Sequence, residues 1–95
     1  MNKIKFNNTE FEVESYSKTT YFGGETITSN GSCNIVTSNV APLNSLAQNE
    51  ITSIQITHDD NLIYDLDDIS ARIDSINEYF TGDHMSISVS LTFDI

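Results

Sequence analysis

The stretch Met85–Asp94, MSISVSLTFD, decides the fold class. Met85, Ile87, Val89, Leu91 and Phe93 are apolar, and Ser86, Ser88, Ser90 and Thr92 alternate with them. Nine residues of strict period two describe a strand with one buried face. A strand this long needs a partner, and ISARIDSINEYF (69–80), just before the turn TGDH (81–84), is the nearest segment. Its pattern admits two readings. Ile69, Ile73, Ile76 and Phe80 fit a helix, whereas Ile69, Ala71 and Ile73 fit a strand with a bulge near Ser75–Ile76. The segment has no evident helix cap, and its Ser, Asp and Asn content is poor for a helix interior. A long hairpin is therefore the favoured expectation, and a helix followed by a strand the alternative.

Working outward, the chain is punctuated by turns. Ile4 and Phe6 share a face in KIKF, NNTE (7–10) is a turn, and Phe11 and Val13 resume the alternation, which reads as a hairpin. That strand runs on through YSKTTYF to Gly23 and Gly24, where positive φ is open to the chain, and TITS runs back. SNGS (29–32) reads as a further turn and CNIVT as a further strand. NVAPLNSLAQNE (39–50) differs. Pro42 stands at a first helical position, and Val40, Leu43, Leu46 and Ala47 have helical spacing, so a helix of about two turns is expected over one end or face of the sheet. In ITSIQIT, Ile54 and Ile56 alternate, with Ile51 out of phase.

HDDNLIYDLDD (58–68) holds five aspartates in eleven positions. Asp59, Asp60 and Asn61 suit a turn, because Asp and Asn tolerate left-handed backbone and bond their own chain. Leu62, Tyr64 and Leu66 then alternate with Ile63, Asp65 and Asp67, which puts Asp65 and Asp67 on an outward strand face. There they repel each other, a strain that a basic partner would relieve. The expected fold is mainly β with one short helix, a compact antiparallel β-sandwich or barrel-like single domain over residues 1–95.

Composition narrows the function. Residues 1–50 carry three lysines against five glutamates, and residues 51–95 carry Arg72 alone against nine acids, for a net charge of −10. This field disfavours direct binding of nucleic acid and of anionic membranes. No apolar run approaches a membrane span, and MNKIKFNNTEFEVES lacks the apolar core of a signal peptide. The single cysteine, Cys33, has no cysteine to pair with and no cation close in sequence, so an inert buried thiol is expected.

The residues suggest no catalysis, cofactor or metal. DDNLIYDLDD lacks the Gly and the final Glu of a calcium loop. His58, His84 and Cys33 lie too far apart in sequence to suggest zinc, and read as two turn histidines and a core thiol. Each histidine stands beside acids that raise an imidazole pKa. No serine lies in a nucleophile elbow, and no glycine-rich phosphate loop is present. The candidate surface for a protein partner is Asp59, Asp60, Asp65 and Asp67, with Tyr16 and Tyr21, which with Phe22 flank the polar run SKTT.

Three segments taken together carry a resemblance: the long hairpin FEVESYSKTTYFGGETITSNG, the short helix PLNSL, and the terminal meander from ITSIQI through HDDN and LIYDLDDI to DHMSISVSLTFD. Their style and order resemble the small β-rich structural proteins of tailed bacteriophages, the capsid-decoration and tail-component group. The resemblance implies a virion subunit, found in the virion or the host cytoplasm. Such a subunit makes repeated contacts with itself or with other virion subunits, which includes a homo-oligomer, and performs no catalysis. Two other readings act by contact as well. One is an acidic inhibitor that occupies a basic groove of a host nucleic-acid-binding protein with Asp59, Asp60, Asp65, Asp67, Asp68 and Asp74. The other is a general binding module that adds a strand to a partner sheet.

Overall fold

In the computed structural model, which describes residues 1–94, the chain forms seven strands and one helix. The strands are β1 (Asn2–Phe6), β2 (Thr9–Gly23), β3 (Thr26–Val36), β4 (Ile54–His58), β5 (Asn61–Leu66), β6 (Ser70–Thr81) and β7 (His84–Asp94), and α1 spans Ala41–Ala47. All pairings are antiparallel, in the order β5-β4-β1-β2-β3-β7-β6. This is the expected mainly β domain with one short helix. Its strands form one continuous sheet that is not closed into a barrel.

The hairpin reading of 69–80 holds: β6 pairs with β7 from Ser70↔Asp94 to Thr81↔His84. The bulge falls at Asp74, between Ile73 and Ser75, one residue before the expected place. It explains the ambiguous spacing, since the extra residue turns the inward step from Ile73 to Ile76 into three. Similar bulges put Glu14 in excess in β2 and Ile63 in excess in β5. The strand at 84–94 is interior, flanked by β3 and β6.

SNGS is not a turn. β3 runs unbroken from Thr26 to Val36, with Gly31 paired to Lys18 on one side and Leu91 on the other. Two flanking ladders outweigh the local turn preference. Gly31 is needed for space, since a Cβ there would lie 2.9 Å from Cε2 of Phe93 and 3.2 Å from the Ser17 carbonyl oxygen. Gly23 closes β2, and of the Gly23–Gly24 pair only Gly24 takes positive φ.

The inner face buries Ile4, Phe6, Ile35, Ile54, Ile87, Val89 and Leu91 almost completely. Each such side chain contributes about 1.5–3 kcal/mol by leaving water. Helix α1 lies against β6 and adds Leu43 and Leu46 to this core. Ala47, expected on the same helical stripe, is exposed, because two turns bring only two side chains squarely onto the sheet. Ile51 is out of phase with β4 because it belongs to a different pairing: it bridges Ala71 of β6 and is wholly buried. Asn7, at φ 57°, secures this connection, its side chain accepting from the Thr52 N–H at 2.8 Å and donating to the Glu50 carbonyl at 3.1 Å. The curled sheet thus nearly meets itself at one end while the ladder stays open.

At the other end the sheet outruns its core. Among the described residues, β1 leaves β2 at Lys3↔Glu12 and β7 leaves β3 at Ser29↔Phe93, while the β2–β3 ladder continues to Gly23↔Thr26. Tyr21–Thr28 is exposed throughout. The result is a two-stranded arm on a body, consistent with an elongated envelope of 45 × 28 × 23 Å.

Candidate contact surface

The aspartates of 58–68 build local structure. Asp59 and Asp60 form the β4–β5 turn with φ of 48° and 68°, a doubly left-handed conformation that aspartate tolerates. Asp59 Oδ1 accepts from the N-terminal ammonium of Met1 at 2.6 Å, and His58 Nε2 lies 3.3 Å from its other oxygen. That hydrogen bond first, and the charge of His58 second, hold the Asp59 carboxyl below its ordinary value. Asp65 lies on edge strand β5 and accepts from Gln55 Nε2 at 3.3 Å. Asp67 does not share its strand face. β5 ends at Leu66, the chain turns at Asp68 with φ 54°, and Asp67 Oδ1 accepts the Asp68 N–H at 3.0 Å.

Leu62, expected on the buried side, is 55% exposed, because the bulge at Ile63 and the distance from the core leave this end uncovered. Asp74 sits on the opposite edge strand, 3.4 Å from Arg72 Nε and hydrogen-bonded by the Thr92 hydroxyl. The carboxylates are therefore divided between two sheet edges. Among the described residues, no three His, Cys, Asp or Glu side chains converge as a metal-ligand set, and no helix is long and apolar enough to cross a membrane.

The two candidate tyrosines differ in setting. Tyr16 is half-buried on the inner face and packs against Tyr64, with ring centroids 5.3 Å apart and hydroxyls at 3.4 Å. Burial first, then the bond to Tyr64, pushes its phenol well above the ordinary value. Tyr16 anchors the base of the arm and is not a free contact. Tyr21 is 55% exposed near the tip, paired with Thr28 on the face opposite to the cross-strand pair Phe22–Ile27, whose members are 80% and 50% exposed.

Ile27 escapes the reading from sequence, and Met85, expected on the buried strand face, and Phe80 instead form an exposed cross-strand pair at the β6–β7 end. The available signal was position. Apolar residues one or two places from a hairpin turn lie farthest from any core.

Beside the β6–β7 turn, His84 Nδ1 lies 2.7 Å from Asp83 Oδ1, and its Nε2 lies 3.4 Å from Glu14 Oε1. These two carboxylates, Asp83 foremost, raise the imidazole pKa. Ser86 is wholly buried and donates to Glu14 at 2.9 Å, so its hydroxyl faces a carboxylate that already serves the histidine. The cluster ties the turn to β2 and presents no nucleophile. Burial pushes the Cys33 thiol up to about 12, which keeps it protonated and unreactive.

Phe22 on the arm is thus the most exposed large apolar side chain among the described residues. No family model matches the chain, and no curated protein matches it in sequence.

Proposed function

We propose that this protein is a non-enzymatic assembly subunit that works by protein–protein contact, in the manner of the capsid-associated and tail-associated phage components its segment order resembles. The β2–β3 arm carries the reading. A two-stranded ribbon without a core is marginal in water, yet this one displays Tyr21, Phe22 and Ile27 to solvent. Apolar side chains grouped this way on a small protein mark a contact site. The resemblance supplies the setting: synthesis in the host cytoplasm and a final place in the virion.

The phosphate-mimic reading has less support. Asp59 is already engaged by the N-terminal ammonium, and Asp74 by Arg72 on the far edge. Quantitative mass spectrometry of gradient-purified particles tests the virion role. The chain should band with the particles at a constant ratio to the major structural protein. Confinement to the soluble lysate would overturn it.

A further inference from the structure

We propose that the arm's partner is a second copy of this chain, held head to tail: Phe22 and Ile27 of one copy seat in the cleft at the β6–β7 end of the next. This rests on reading the arm as a contact surface, and names what it contacts.

Three observations support the self-contact. First, the register places Phe22 and Ile27 on the same sheet face as Met85, Ile87 and Phe80, because Ile27, Ser29, Gly31, Cys33 and Ile35 alternate in phase with Phe93 through Ile87. The inner face therefore runs past the core in both directions, with the polar pair Thr20–Ser29 between the core and the arm tip. It ends in a projecting pair at the arm and in a cleft lined by Val40, Met85, Ile87, Thr37, Ser38 and Glu78 at the other end.

Second, the antiparallel topology puts these features at opposite ends of the sheet. Ser29 pairs with Phe93 near the arm, and Val36 with Ser86 near the cleft. A displacement along the strand direction combined with a turn that brings the two inner faces together, repeated, joins every arm to the next cleft. That is a heterologous contact, which builds rings or open filaments.

Third, the charge fits. Residues 15–36 contain only Lys18 and Glu25, so the arm is neutral and the whole net charge of −10 lies on the body. A neutral arm meets an acidic body without repulsion. A basic partner or a phosphate backbone would find almost no opposite charge on it.

Size exclusion with light scattering on the full chain tests this, from about 10 µM to about 1 mM, a range that brackets weak contacts. The mass of the native chain should climb with concentration, and climb further with added salt, which screens the repulsion between acidic bodies. Phe22→Glu and Met85→Glu should each weaken association at least roughly tenfold. An equal mixture of the two should form dimers and stop there, since one intact arm and one intact cleft remain per pair.

Three results would overturn the proposal: a monomer at every concentration, a mixture that stays monomeric, or loss of association in Phe22→Glu with Met85→Glu unaffected, which would mean arm-to-arm pairing. Circular dichroism checks folding, and Phe80→Glu, at a 67% exposed site, replaces Met85→Glu if that variant unfolds. These outcomes are independent of whether particles contain the chain, so the two proposals fail separately.

Discussion

The two halves of β2 follow the same rules of strand formation and meet different surroundings. From Thr9 to Glu12 the strand pairs with β1, β3 takes over from Glu12 onward, and Phe11 and Val13 are buried. Beyond the bulge at Glu14 it keeps only β3, and from Tyr21 onward every side chain is exposed. In both halves successive side chains take opposite faces, with Phe11, Val13, Tyr16, Lys18, Thr20 and Phe22 on the inner one. Period two therefore says which face a side chain takes, and the layers above that face decide whether it is buried.

The sharpest way to break this comparison is one substitution in each region. Val89→Asp, in the body, places an unpaired charge at a fully buried site and should cost more than about 4 kcal/mol, abolishing cooperative melting. Phe22→Ser, in the arm, should shift stability by less than about 0.5 kcal/mol. Wild-type-like melting of Val89→Asp would mean the inner face is misassigned.

Glycines give the next largest contrast. Gly31→Ala forces the Phe93 ring or the Ser17 carbonyl to move and should cost about 1–3 kcal/mol by urea denaturation. Gly23→Ala, with nothing within 4 Å, should be near neutral. Equal effects would show that Phe93 does not pack over Gly31.

A smaller, pH-dependent effect belongs to His84. Its folded pKa lies above the ordinary value, so its contribution is complete below about pH 6.5 and fades as pH rises through the folded pKa. Asp83 is depressed, so its contribution holds above its ordinary value and is lost as pH falls through the folded one. NMR titration should place the His84 midpoint above 6.5, and Glu14→Gln should lower it. A midpoint at or below the ordinary value would remove Glu14 and Asp83 as partners.

The smallest change is expected from Asp65→Asn with Asp67→Asn. The two do not share a face, so the pair should melt within about 0.5 kcal/mol of wild type, with or without Ca²⁺. A large loss would point to a structural ion among these aspartates.

Much of the fold was legible in the residues. The serine alternation of 85–93 marked the best-buried strand, Pro42 with Leu43 and Leu46 marked the helix, and the acidic dipeptide at 59–60 marked a turn. Local chemistry is enough where one residue type satisfies one backbone need. It failed at SNGS, where the turn preference of four residues yielded to ladders on both sides. It also failed at Asp67, because the end of β5 depends on where β4 stops pairing. Tyr16 and Tyr21 looked equivalent, and only the approach of Tyr64 separates them. The sequence by itself determined the β class, the periodicity of each face, the neutral arm and the acidic body, because these are properties of residues in order. Tertiary structure alone decided which parts of those faces are covered, since burial depends on strands and side chains brought together from distant parts of the chain.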